Sequence, residues 1–357
     1  MKILLVTETW DMTTGPFETL YPFYSAILTG LRHEVRVVDH QQPHLHLWKL
    51  GLGGLPHRLK WIYYKACDRL VNIRLKQTAQ QWQPDLVLLF KSENISWQTI
   101  VWLKQNTQAA IFNWSHDNPF WFSNTSIHML RSISLYDGFG VITKILAPAL
   151  YTIDCKRVEY LPMFFTPERF QPGEITALER EKFGCDIAFV GNGAPNRAEM
   201  LRHLVDFDLA IWGRWDFLSH NDPLRAKIRG VQLNGQDYAK VLSCCKIAVN
   251  VLNLHNRYGN NLRTFEATGM GTFLLTEYTQ EQAEELFVEG KEIECYRSPQ
   301  ELRDKVGYYL YHPEERERIA KAGQLRTLRE HTLKHRLQRI IEVAEETKTE
   351  RTGQSKW

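Results

Sequence analysis

Three segments of the 357-residue chain place residue types at spacings that suit chemistry on a phosphate-bearing ligand. The first is Arg257–Gly271, RYGNNLRTFEATGMG, where a loop with Tyr258, Gly259, Asn260 and Asn261 runs into a helix. The first turn of that helix carries Arg263, and Glu266 follows one turn on. A helix N-terminus offers free backbone N–H groups and the positive end of the macrodipole, which suit a pyrophosphate. Arg263 would add charge-assisted hydrogen bonds, and Glu266, an acceptor only, suits the vicinal hydroxyls of a ribose. The same residues also describe an ordinary capped helix with a surface Arg263–Glu266 pair.

The second segment is GNGAPNR, Gly191 to Arg197, after the apolar run DIAFV. Gly191 and Gly193, on either side of Asn192, let backbone approach a phosphate or ribose closely, and Arg197 opens the next helix. As a GxGxxG fingerprint the segment fails at its sixth residue, Asn196, and a tight strand-to-helix turn explains it as well. Arg214, in WGRW at the end of the following strand, is similarly placed, while Trp212 and Trp215 read as packing. The third segment is NWSHDNPFW, Asn113 to Trp121. There His116 or Asp117 could act as general base toward a hydroxyl, or both could cap the turn at Asn118-Pro119. Glu8 and Asp11, just after the first strand, are further base candidates, and Gly15 could bring backbone near a phosphate.

These segments must be held by an alternation of strands and helices. KILLVT (2–7), EVRVVD (34–39), DLVLLF (85–90), AIFNW (110–114), GFGVIT (138–143) and 157–161 read as strands of the first half. Helices are expected over 16–31, about 56–82, 97–104 and 127–134. Between Pro162 and Gly184 three prolines, a glycine and a charged stretch break the pattern as a linker would. It restarts with strands at 186–190, 209–212, 246–252, 272–276 and 294–296, and ends in three helices between Pro299 and Thr347 broken at His312-Pro313 and Glu330–Thr332. Such alternation implies βαβ units and mostly parallel sheets. The expected division is a Rossmann-like domain over 1–165, a linker over 166–184, a second Rossmann-like domain over 185–340, and a terminal tail over 341–357.

Composition limits the alternatives. Lys and Arg number 44 against 41 Asp and Glu, a net charge of +3, which argues against a nucleic-acid partner. With 43% hydrophobic residues the chain can fill cores, so disorder is excluded. No apolar run is long enough to cross a bilayer, and the amino terminus does not read as a signal peptide. Six cysteines without a CxxC spacing fit neither a disulfide framework nor a metal site, and point to a reducing, cytoplasmic setting. Residues 1–165 hold 16 Lys and Arg against 12 Asp and Glu, so the small positive surplus lies in the first half. Within it, the aromatic and basic stretch 44–70 could contact an anionic membrane peripherally at its inner face, cover an acceptor site, or pack as a helix on its own sheet. His44, His46 and His57 there have no metal-ligand spacing.

NLRTFEATGMGTFLLTE, FVEGKEIECYRSPQELRDKVGYYL and IAKAGQLRTLREHTLKHRLQRII resemble the carboxyl-terminal domain of GT-B-fold glycosyltransferases, most of all the spore-maturation CgeB-like branch. DIAFVGNGAPNRAEML is similar to the first strand and loop of that domain, and FNWSHDNPF to part of the amino-terminal domain. The resemblance implies an α/β GT-B fold, two Rossmann-like domains facing across a cleft with carboxyl-terminal helices. It implies a nucleoside-diphosphate sugar gripped mainly by the second domain and a carbohydrate or lipid-linked acceptor on the first. Glu266 matches the glutamate that binds the ribose; Asn260, Asn261 and Arg263 match the surroundings of the diphosphate. The related retaining enzymes carry a second glutamate eight positions earlier, where this chain has Tyr258. In those relatives a histidine placed like His116 contacts the donor sugar. The activity so implied is a glycosyl transfer without cofactor or bound metal, no Asp-x-Asp motif being assigned to one. A nucleotide-sugar epimerase and a non-catalytic nucleotide-sugar-binding module are the alternatives. A nicotinamide oxidoreductase fits least, since neither half has the full glycine fingerprint.

Overall fold

The computed structural model describes residues 1–8, 20–40, 56–91, 93–171, 173–231, 233 and 235–354. Among them the chain forms two compact units, one of residues 1–8, 20–161 and 336–354, the other built of residues 162–335. The division therefore falls at Leu161 instead of 165. Residues 166–184 belong to the body of the second unit, and the tail begins to return to the first unit at Arg336, five residues earlier than expected.

The first unit is a six-stranded parallel sheet of β1 (Lys2–Thr7), β2 (Glu34–Asp39), β3 (Leu86–Phe90), β4 (Ala110–Trp114), β5 (Gly138–Val141) and β6 (Val158–Tyr160), in the order β2-β1-β3-β4-β5-β6. Strands β3, β4 and β5 are buried along their whole length, which is why they read as continuous apolar runs without alternation. Helices α1 (Tyr21–Gly30), α2 (His57–Trp82), α3 (Trp97–Asn106), α4 (Ile127–Ser132) and α5 (Ala147–Tyr151) connect them. The proline in the first turn of α1 is Pro22; Pro16, expected to open this helix, lies outside the described residues. Ser96 and Ser126 cap α3 and α4 by accepting from the N–H groups of Thr99 and Met129.

The glycines of GFGV are a packing necessity. A Cβ on Gly138 would lie 2.6 Å from the Phe112 ring, and one on Gly140 would lie 2.8 Å from Leu161 and 2.9 Å from Trp114. Large aromatics on β4 thus occupy the space that side chains on β5 would need.

The last helix, α12 (Leu333–Gln354), is tied to the amino edge of this sheet. Arg339 makes a bidentate pair with Glu159 (3.0 and 3.2 Å), Arg351 meets Asp137 at 2.7 Å, and Lys348 bonds Asp85. Asp85 and Asp137 stand just before β3 and β5, so the helix leaves the opposite, carboxyl edge of the sheet to the loops.

The second unit is a parallel sheet of β7 (Cys185–Val190), β8 (Leu209–Trp212), β9 (Ile228–Gly230), β10 (Cys245–Asn250), β11 (Phe273–Glu277) and β12 (Glu294–Tyr296), in the order β12-β11-β10-β7-β8-β9. Around it lie α6 (Ala177–Phe183), α7 (Pro195–Arg202), α8 (Gly235–Cys244), α9 (Leu262–Gly269), a π-helical segment Glu281–Leu286, α10 (Pro299–Tyr311) and α11 (Pro313–Glu330). Strand β9 escapes a hydrophobicity reading because it is a three-residue edge strand with one large apolar residue, none of its residues fully buried. Helix α6, inside the supposed linker, carries a full capping box between Thr176 and Glu179, and Glu179 pairs with Lys240 of α8 at 2.6 Å.

Gly140→Ala should destabilise the first unit by about 1–3 kcal/mol through overpacking against Trp114 and Leu161. The expected readout is a lower urea midpoint for that unit; an unchanged midpoint would show that β4 and β5 can part.

Candidate functional site

Strand order in the second sheet reverses beside β7: β8 and β9 lie on one side, β10 to β12 on the other. In open α/β sheets, ligands bind outside the carboxyl ends of the strands at this reversal. The loops found here follow β7 and β10, and they contain Gly191–Arg197 and Arg257–Asn261.

Arg197 joins those two loops. It is 7% exposed, and its Nε donates to Val251 O at 3.0 Å while Nη1 donates to Asn192 O at 2.7 Å. Burial, with Arg263 nearby, pushes its pKa down to about 10. Two of its N–H groups thus serve main-chain carbonyls, and the residue holds the loops in place. The glycine loop also rests on the turn after β8. Gly191 N donates to Trp212 O, Gly193 N to Arg214 O, and Arg214 N to Asn192 Oδ1, at 2.8, 2.8 and 3.1 Å. Gly213 makes this close approach feasible: its φ is +148°, and a Cβ there would sit 2.1 Å from Gly191 O. Trp215 bonds Gly191 O through Nε1 at 3.2 Å, so its packing role comes with a polar one. The Arg214 side chain is exposed.

The start of α9 is capped by Asn261, whose Oδ1 accepts from Thr264 N at 3.2 Å and whose amide pairs with that of Asn250 (3.1 and 3.0 Å). Asn260 points inward: its Oδ1 accepts from Met163 N at 3.0 Å, and its Nδ2 donates to the buried Glu281 at 2.7 Å. Arg263 donates from Nε to Val190 O at 2.8 Å, lies over the Tyr238 ring at 4.6 Å, and bonds Glu266. Burial opposes its charge, but the Glu266 carboxylate outweighs that and holds its pKa above the usual arginine range.

Glu266 is 1% exposed, and its other oxygen meets Arg169 at 3.4 Å. The expected surface Arg263–Glu266 pair is therefore corrected to two partly exposed guanidiniums on one buried carboxylate. Each carboxylate oxygen already holds one guanidinium and keeps lone-pair capacity for a hydroxyl. Tyr258 is 59% exposed, with Arg257 over its ring at 5.1 Å, and it brings no negative charge.

Two residues that sequence reasoning left out join this edge. Arg169 sat in the stretch read as linker. Glu277, at the end of β11, accepts from Leu252 N at 3.1 Å; its carboxyl is pushed up by burial, with Arg257 and Arg197 opposing. Nothing local marks either one. Arg169, Arg197, Arg214, Arg257 and Arg263 thus outnumber Glu266, Glu277 and Glu281 around these loops, a positive balance suited to a diphosphate.

Among the described residues no group of three or more His, Cys, Asp or Glu could hold a metal. The chain does contain one Asp-x-Asp spacing, Asp206-Phe207-Asp208. Asp208 accepts from Asp186 N at 3.1 Å and meets Arg229 at 3.2 Å, and Asp206 meets Arg303 at 3.0 Å. These contacts put the pair at the amino ends of β7 and β8, away from the loops above.

In the first unit, β4 delivers His116 and Asp117 to the carboxyl edge. The imidazole packs edge-on against Trp114 at 4.5 Å, and its centroid lies 5.6 Å from that of Phe90. Asp117 Oδ2 bonds Lys91 Nζ at 2.8 Å, and Glu93 stands 3.8 Å from the same ammonium. Lys91 ends β3 in the left-handed region (φ 52°), a conformation uncommon for a side-chain-bearing residue. The turn is capped by Asn118 itself, whose Oδ1 accepts from Phe120 N at 2.9 Å, so His116 and Asp117 are not needed for that purpose. The Glu8 carboxyl is pushed up by burial, with Lys91 opposing and Asp39 adding. Asp11, Gly15, His44 and His46 lie outside the described residues.

Burial is the main force pushing the His116 pKa from 6.5 to about 4; Asp117 opposes it and Lys91 adds to it. Above the unfolded value both states are neutral. Between that value and about 4 the unfolded chain takes up a proton that the folded protein refuses. Stability should therefore fall as pH drops through this window, by at most about 3 kcal/mol. Denaturant unfolding from neutral to acid pH should show this loss in the wild type and a flatter profile in His116→Asn; equal slopes would refute the buried neutral imidazole.

Residues 197–342 match the glycosyl transferase-like family. The chain is 20% identical to the spore protein CgeB of Bacillus subtilis (strain 168) over 271 residues, 70% of this chain and 79% of that protein. HepE of Anabaena, solved in complex with UDP-glucose, superposes with a TM-score of 0.62 at 13% identity, covering 97% of this chain and 100% of that one. A putative UDP-N-acetylglucosamine 2-epimerase from Listeria monocytogenes superposes with a TM-score of 0.57 at 13% identity over 90% of this chain and 91% of its own. The chain has a GT-B fold, its residues 197–342 match the glycosyl transferase-like family, and its sequence is similar to that of CgeB.

Proposed function

We propose that the chain is a glycosyltransferase that moves a sugar from a nucleoside-diphosphate sugar to an acceptor hydroxyl. The observation that carries this reading is the meeting, at the strand-order reversal of the second unit, of the Gly191–Gly193 loop and the Arg263-bearing start of α9. It lies in a chain whose residues 197–342 match a glycosyl transferase-like family and whose fold neighbour HepE was solved with UDP-glucose. In this reading the backbone N–H groups at the start of α9, with Arg263 and the exposed Arg214, stabilise the leaving diphosphate as charge builds on it. Arginines and a helix terminus supply the positive charge, so the transfer runs without a resident metal. Glu266 takes the ribose hydroxyls, with Arg169 yielding one of its two guanidinium contacts.

On the first unit, Asp117 or His116 takes the proton of the acceptor hydroxyl. Asp117 is paired with Lys91 at 2.8 Å, and the depressed pKa of His116, about 4, leaves the imidazole neutral to orient a hydroxyl. The acceptor is a carbohydrate or a lipid-linked one, in a cytoplasmic setting consistent with six free cysteines. The likeness to a 2-epimerase supports a second reading, in which the same donor is epimerised without an acceptor.

UDP at a hundred times its Kd should stabilise the second unit by about 2.7 kcal/mol, read as a rise in thermal midpoint. Arg214→Ala, a change at an exposed side chain, should weaken UDP about tenfold, as expected for loss of one charge-assisted contact. Glu266→Gln should abolish the response. No stabilisation of the wild type by UDP, GDP or dTDP sinks the donor reading.

In turnover with UDP-glucose and a panel of acceptors, EDTA should leave the rate unchanged. An epimerised sugar nucleotide formed without acceptor would replace the transferase reading with the second one.

A further inference from the structure

Helix α2 is longer than the sheet it packs on. Its 26 residues span about 39 Å, against about 20 Å for the six residues of β1. Its end is fixed at the amino edge, where Lys2 Nζ donates to Trp82 O at 3.4 Å. Its middle is fixed at the carboxyl edge: Asn72 Nδ2 donates to Asn94 O at 3.0 Å and Asn72 Oδ1 accepts from Ser96 N at 2.8 Å, both just after β3. The first turns of the helix, up to Cys67, therefore project beyond the carboxyl edge. The first buried side chain of the helix is Cys67.

What projects is not a solvated face. Leu59, Trp61, Ile62, Tyr64 and Leu70 are 39–61% exposed, interleaved with Arg58, Lys60, Lys65 and Arg69 against one acid, Asp68. Single exposed apolar residues are ordinary; five within twelve residues are not. Trp and Tyr with flanking Lys and Arg combine an apolar body with a polar or charged tip, which suits the headgroup boundary of a lipid bilayer. The surplus of positive charge selects the occupant: it attracts an anionic surface and repels a second copy of the same face.

We propose that residues 57–70 form a docking surface for an anionic lipid bilayer. Among the described residues no helix is long and apolar enough to cross a membrane, so the contact is peripheral. It stands on the carboxyl edge that also carries His116 and Asp117, and would bring a lipid-borne acceptor to them. That last use rests on the transferase reading; the docking itself does not.

The test is cosedimentation with phosphatidylcholine vesicles with and without a third of phosphatidylglycerol, at physiological salt. The wild type is expected to pellet with the anionic vesicles only, less so as salt rises. Lys60→Gln with Lys65→Gln should weaken binding about fivefold per residue. Trp61→Ser with Ile62→Ser should abolish it while the thermal midpoint stays put, since both side chains are exposed. Equal binding to neutral vesicles, no binding, or indifference to both double variants overturns the proposal. So does a concentration-dependent dimer that Trp61→Ser with Ile62→Ser dissolves. UDP stabilisation measured on the same preparations keeps a failure here distinct from a failure of the donor reading.

Discussion

One buried guanidinium holds the candidate donor edge together. Arg197 bonds the carbonyls of Asn192 and Val251, and so clamps the loop after β7 to the loop after β10 where the strand order reverses. A charge this buried is tolerable only because carbonyl dipoles replace its water. Its depressed pKa reflects the remaining cost. Because Arg197 spends these donors on the scaffold, the proposed donor contact falls to the exposed Arg214 and the helix start at Leu262. Gly213 and the glycine loop follow from the same constraint, for no side chain fits where Gly191 O approaches.

Charge beside this clamp is arranged with equal economy. Glu266 lies between Arg263 and Arg169, so a single buried carboxylate steadies two cations that would otherwise repel each other at the mouth of the loops. The ribose contact implied by the family resemblance and the ion pairs seen here compete for the same two oxygens. Arg169 holds at 3.4 Å and is the weaker partner.

In the first unit the parallel sheet separates structure from chemistry. Every strand runs the same way, so all loops that follow strands gather at one edge and all that precede them at the other. The amino edge is closed by α12 through Glu159, Asp85 and Asp137. The carboxyl edge receives Lys91, Glu93, His116 and Asp117, with the overhanging half of α2 beside them. The exposed length of that helix is a consequence of having more turns than the sheet can cover.

Features set by near neighbours were legible in the sequence. The alternation of apolar runs and amphipathic stretches determined two parallel sheets. Asn261 marked a helix start, and glycines marked close backbone approach. These depend on backbone periodicity and on partners within a few residues. Partners far apart in the chain were decided only by the tertiary structure. Asn260 turned inward to Met163, 97 positions away, and Glu266 acquired Arg169 at the same separation. Lys91 came to neutralise Asp117, and Arg339 reached back 180 positions to Glu159 to carry the last helix onto the first unit. Such pairings are fixed by which surfaces pack together, and side-chain type at a position says what a residue can bond but not what packing will bring within reach.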